Sequence, residues 1–161
     1  LTVAGPPFSG ASLVFSRSWN RLLDLPIRAW EGDDCSHVGV RLGDKVIDAT
    51  LLHGVAATSY EEWCARRELM QEIDIFPASF GAAEQASNEL HAKVGLPYDW
   101  RGVLGFPLLR DLDQRNAWWC SELAAHWLTV HAGIVLPGRP GRRGVRLLRW
   151  VASGYSQRGG L

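Results

Sequence analysis

Short stretches of alternating apolar and polar residues dominate the first half of the chain. Longer stretches with helical spacing dominate the second. Ala11 to Ser16 (ASLVFS) is an apolar run that predicts a strand. Ser36 to Leu42 (SHVGVRL) and Lys45 to Thr50 (KVIDAT) alternate with period two, and Gly43-Asp44 predicts a tight turn pairing them. His53-Gly54-Val55 leads into a third short strand. Gln71 to Phe76 (QEIDIF) alternates again, with Ile73 and Ile75 on one face and Glu72 and Asp74 on the other, and Pro77 ends it.

Helical signals lie between and after these runs. Ser18 to Trp30 puts Trp19, Leu22, Leu23 and Ile27 on one face, with Pro26 expected to bend or interrupt it. Glu31-Gly32-Asp33-Asp34 is a turn cluster. Ser59-Tyr60-Glu61-Glu62 has the form of a capping box and opens a short helix over Trp63 and Cys64. Ser79 to Val94 is helical, with Ser79 as cap and Gly95 at its end. Pro97 to Leu109 is a looser helical stretch. Ala117 to His131 is apolar on most faces, which predicts a buried helix. Gly138 to Gly144 reads as loop and Val145 to Ser153 as a last helix. A meander of strands followed by helices predicts an α+β fold, an antiparallel sheet packed against helices.

The 161 residues fit one domain, 1–161, with a core over about 10–135 and a basic C-terminal segment at 137–161. Seventeen basic residues balance 17 acidic ones, so the chain as a whole has no electrostatic bias toward nucleic acid or membrane. From Pro137 onward there are six arginines and no acidic residue, either a solvated basic face or a contact for an anionic polymer. Three widely spaced cysteines argue against a disulfide framework, and none has zinc-ligand spacing, so no metal or cofactor is expected. No apolar run approaches the roughly 20 residues of a membrane span. No basic-then-apolar leader is visible, and the reading is a soluble chain whose compartment stays open. Most of the eight tryptophans are expected in the core.

Cys120 stands at the start of the buried helix, in Trp118-Trp119-Cys120-Ser121-Glu122-Leu123. Unsatisfied N–H groups and roughly half a positive charge at a helix start favour a thiolate, so a lowered thiol pKa is expected. The same N–H groups suit a developing oxyanion. A lone cysteine there is otherwise a small core residue. His37 lies on a strand and is the natural base for a thiol; its alternative is a satisfied core histidine. Gly39, two residues on, is expected to leave space beside the imidazole. Asp48 on the neighbouring strand can orient His37, with Thr50 and His53 as other candidates. Cys35, two residues before His37 and on the same face by alternation, is the rival nucleophile.

These pieces, in this order, resemble the circularly permuted NlpC/P60 (papain-like) cysteine hydrolases, the YiiX-like group. The resemblance rests on Gly10 to Phe15, Ser36-His37-Val38-Gly39-Val40, Val46-Ile47-Asp48-Ala49, and Cys120-Ser121-Glu122-Leu123. Gly95-Leu96-Pro97-Tyr98-Asp99-Trp100 is similar to the segment that precedes the cysteine in unpermuted members. It spans roughly Gly10 to His131. It implies a permuted papain-like fold with Cys120 as nucleophile, His37 as base and Asp48 as the polar orienter. It further implies that Tyr98 sits beside the oxyanion site. Ser121 and Trp119, flanking the cysteine, complete the expected oxyanion and substrate-binding set. His37 precedes Cys120, the reverse of the unpermuted order.

The resemblance implies an amidase or endopeptidase acting on peptidoglycan stem peptides, with a phage or secreted antibacterial role within its range. A thioesterase or acyltransferase acting on lipid or acyl-thioester substrates is the alternative. A third reading is a non-catalytic binding module on the same fold. Nucleic-acid binding is not expected: the chain is neutral and carries no recognition motif.

Overall fold

The computed structural model describes residues 10–18, 21–103, 116–137 and 144–156. Five strands form one antiparallel sheet: β1 (Ala11–Ser18), β2 (His37–Leu42), β3 (Lys45–Thr50), β4 (Gly54–Ser59) and β5 (Arg67–Asp74), in the order β4-β3-β2-β1-β5. The described helices are α1 (Arg21–Glu31), α2 (Tyr60–Arg66), α3 (Phe80–Ala92), α4 (Cys120–Ala132) and α5 (Val145–Ser156). The α+β class with an antiparallel sheet is therefore the observed one.

β2 is the central strand, and its neighbour β1, between β2 and β5, packs side chains on both faces of the sheet. Leu13 and Phe15 join Val38, Val40, Ile47 and Ala49 in one large core with residues of α3, α4 and α5. Val14 points the other way and packs with Val46 against Trp63 of α2. α2 leaves β4 at one edge of the sheet and delivers the chain to β5 at the other edge. It must cross that second face, and Ser59 starts it, its hydroxyl accepting the Glu62 N–H at 3.2 Å.

Several boundaries differ from the sequence expectation for local reasons. β5 begins at Arg67 and not Gln71, because Arg67, Glu68 and Leu69 pair with Ser18, Arg17 and Ser16, leaving Met70 as a bulge. α1 runs through Pro26 without interruption. The side chains of Trp19, Leu22 and Leu23 lie outside the described residues. α4 begins at Cys120 and not Ala117. The three preceding residues are extended because Trp118 bridges Tyr98: its N–H donates to the Pro97 carbonyl at 3.1 Å and its carbonyl accepts the Asp99 N–H at 3.2 Å. Residues 100–103 form a helical turn whose Gly102 N–H donates to Asp99 Oδ1 at 2.8 Å, and 104–109 of the expected helix lie outside the described residues. The tryptophans are less buried than expected. Trp63, Trp119 and Trp127 are core, but Trp30, Trp100 and Trp150 are exposed.

The basic C-terminal segment also departs from expectation where it is described. Glu31 at the end of α1 accepts the N–H groups of Val145 and Arg146 at 3.1 and 3.3 Å and so caps α5. Arg149 reaches Asp33 at 2.6 Å and Gln71 at 2.7 Å, and also pairs with Asp34. Arg146 and Arg149 thus hold α5 to the domain and do not form a free anion-binding face. The other four arginines lie outside the described residues.

One loop contact positions the segment around Tyr98. The Val55 N–H donates to the Leu96 carbonyl at 2.9 Å, and the Gly95 N–H returns to the Val55 carbonyl at 2.8 Å. Gly54 makes this approach possible: its φ is +65°, and a Cβ there would stand 2.3 Å from the Leu96 oxygen. Gly54→Ala is expected to cost about 2 kcal/mol or more, lowering Tm by at least about 4 °C. Gly43, at φ +62° with open space around its Cβ, should lose less on the same change. Equal melting losses for the two variants in calorimetry would show that the Leu96 contact carries no weight.

Candidate functional site

His37 is the first residue of β2 and Asp48 lies on β3, one step beyond the Val40–Ile47 pair and its neighbours toward the same end of the sheet. Alternation turns both side chains to the face that α2 covers. His37 Nε2 meets Asp48 Oδ2 at 2.7 Å, with both side chains buried. The same oxygen accepts the Trp63 indole N–H at 2.9 Å and lies 3.8 Å from Arg67 Nη2. Burial by itself would raise the Asp48 carboxyl, but the His37 hydrogen bond and charge, Arg67 and Trp63 hold it below its ordinary value. With Asp48 ionised, Nε2 is the donor and Nδ1 carries the lone pair, free of any hydrogen bond to a described residue. Burial and then the Arg67 charge push the His37 imidazole below its ordinary value, against the raising effect of Asp48.

Cys120 is the first residue of α4 and is 6% exposed. It packs in the core with Val38, on the opposite face of β2 from His37, and approaches the same strand end through the Val38 backbone. Among the described residues no hydrogen bond joins its thiol to His37. The expected lowering of its pKa is not found. Burial pushes the thiol up to about 11, and the Val38 backbone hydrogen bond and the Arg67 charge offset only part of that. Burial thus favours the neutral form of both the thiol and the His37 imidazole.

A cavity of about 380 Å³ opens over the histidine. His37, Asp48, Trp63, Arg67 and Tyr98 line it together with the turn at Thr50 to His53. Tyr98 connects it to Cys120. Burial raises the phenol's pKa first and the nearby Cys120 charge raises it further. Cys120 does not itself line the cavity.

The structure brings together His37, Asp48 and Tyr98 and sets Cys120 beside Tyr98. Asp48, not Thr50 or His53, is bonded to His37; Thr50 Oγ1 instead accepts the His53 N–H at 3.3 Å. Ser121 is fully buried, its hydroxyl unpaired among the described residues, and Trp119 is the buried N-cap of α4. Neither side chain lines the cavity. Gly39 does not leave space beside the imidazole. A Cβ there would meet Val46 Cγ1 at 2.7 Å and Asp48 Cβ at 3.3 Å, so the glycine lets β3 side chains close over β2. Cys35 is not on the His37 face. It precedes β2 and is buried in the core with Val38, and burial pushes its thiol up to about 12. Two cavity residues were missed in the sequence. Trp63 and Arg67 reach Asp48 only because α2 crosses the sheet, and the one local signal was the cap at Ser59. No protein-family model, curated protein or solved structure matches the chain.

Asp48→Asn removes the charge that raises the His37 pKa. The imidazole titration, followed by ¹⁵N NMR, should then move further down from its wild-type position; an upward shift would mean that Asp48 does not face His37 in solution. For the cysteines, exposure and burial set the order of iodoacetamide labelling in the folded protein. Half-buried Cys64 should label first, and Cys120 slowly at neutrality with a rate still rising between about pH 7 and pH 10. Cys35 should label only on unfolding. A Cys120 rate that has levelled off by neutrality would show a preformed thiolate.

Proposed function

We propose that the protein is a papain-like cysteine hydrolase of the permuted NlpC/P60 type that cleaves amide bonds in peptidoglycan stem peptides. The observation that carries the reading is the His37–Asp48 contact at 2.7 Å, which commits Nε2 and leaves Nδ1 without a hydrogen bond to a described residue. Cys120 attacks the carbonyl while His37 Nδ1 takes the thiol proton, so proton transfer accompanies attack instead of preceding it. Asp48 holds the tautomer and supports the imidazolium that forms. Substrate binding must draw the Cys120 thiol and His37 together, a tightening that unliganded sites commonly need. The oxyanion falls to the first N–H groups of α4, with Tyr98 adjacent. The acyl group leaves Cys120 when His37 has returned its proton to the amine and water attacks.

One observation favours the acyltransferase or thioesterase alternative. Leu51, Leu52 and Ile27 line the cavity and are exposed, Leu52 at 86%. An apolar rim suits an acyl chain or a membrane surface as well as a peptide. None of the described helices is long and apolar enough to cross a membrane.

Purified sacculi incubated with wild-type protein should release free peptide or lose stem-peptide cross-links, and Cys120→Ala should release none. Asp48→Asn should retain the fold and lose about 10³–10⁴-fold in rate. Unchanged sacculi, together with acyl transfer from phospholipid or an acyl thioester, would replace this reading with the alternative.

A further inference from the structure

Among the described residues, Arg67 carries the one arginine or carboxylate charge lining the cavity that makes no hydrogen bond. Its side chain is 18% exposed, yet none of its N–H groups donates to a described residue. Its ion-pair partner, Asp48 Oδ2, is 3.8 Å away and is already shared by His37 and Trp63. Its other contact is with the Trp63 ring, 5.8 Å from the ring centre. The other charges around the cavity are satisfied. Asp24 accepts the Ser18 N–H at 2.9 Å and the Ser36 hydroxyl and pairs with Arg28, while Arg66 pairs with Glu62.

The guanidinium nitrogens of Arg67 reach the solvent of the cavity, so a bound acceptor can replace water on donors that no described residue uses. Its planar fork matches a carboxylate in two parallel hydrogen bonds, which an ammonium cannot copy. We propose that Arg67 anchors a free carboxylate of the substrate, so that the site selects peptides bearing an acidic group close to the scissile amide. This rests on the hydrolase reading and narrows it to an anionic peptide. Asp48 does not oppose the anion in full, since its charge is spent on His37 and Trp63. Arg67 follows α2 directly and is fixed at both ends, by the helix before it and by its pairing with Ser18 after it. The anchor is therefore part of the rigid wall, not a mobile side chain on a loop.

The test is a calorimetric titration of the Cys120→Ala protein, which cannot consume substrate. The ligands are a stem tetrapeptide with free carboxylates and the same peptide amidated throughout. The acid should bind at least about 10-fold more tightly than the amide. Arg67→Gln should abolish that preference, and Arg67→Lys should keep part of it by charge alone. Because both ligands are compared on the same variant, a general loss of fold cannot imitate the result. Equal affinities, no binding, or a preference untouched by Arg67→Gln would overturn the anchor. So would binding of a short-chain anionic phospholipid in place of the peptide. Cleavage of sacculi by wild type without an acid preference would sink the anchor alone. An acid preference without cleavage would sink the hydrolase reading and leave the anchor standing.

Discussion

Asp48 is a buried carboxylate, and much of the candidate site exists to keep it charged. An isolated charge at that depth is untenable, so the fold must supply donors. Two come from different elements, His37 from β2 and Trp63 from α2, and Arg67 at the start of β5 adds its charge at 3.8 Å. Removing one partner of such a buried pair typically costs about 3–5 kcal/mol. The crossing of α2 over the sheet is thus tied to the site as well as to the packing of Trp63 on Val14 and Val46. The histidine is oriented by the same carboxylate that pins the helix.

The thiol shows two opposed effects and a clear winner. A helix start favours a thiolate by about 1–2 kcal/mol. Burial in a core of leucine, valine and tryptophan works the other way and lifts Cys120 to about 11. Arg67 and the Val38 backbone temper this without reversing it. Burial thus favours the neutral thiol at Cys120. Burial favours the neutral His37 imidazole as well, and Asp48 fixes which nitrogen carries the lone pair.

The opposite end of the chain is stapled by the same logic of satisfied ends. The first N–H groups of α5 find the Glu31 carboxylate across the domain, and Arg149 closes onto Asp33, Asp34 and Gln71. An arginine-rich stretch is ambiguous in one dimension, because charge alone does not say whether its partner is in the chain or outside it. Here the partners of Arg146 and Arg149 are a turn cluster more than a hundred residues earlier.

What the sequence by itself determined is the set of locally encoded features. Period-two alternation marked β2, β3 and the core face of β5, because side chains on a strand must sort between faces every second residue. Ser59 and Ser79 marked two helix starts, because an orphan N–H needs an acceptor within a few residues. The meeting of β2 and β3 was legible too, since a tight turn at Gly43-Asp44 pairs them, but the choice of Asp48 over Thr50 and His53 as the partner of His37 was not. Tertiary structure decided everything that depends on two distant segments sharing one space. It placed Trp63 and Arg67 on Asp48, removed Cys35 and Ser121 from the site, and filled the space beside Gly39 with Val46. It also set the thiol's charge state. Burial is a property of the whole packed domain, and no window of neighbouring residues contains the atoms that exclude water from Cys120.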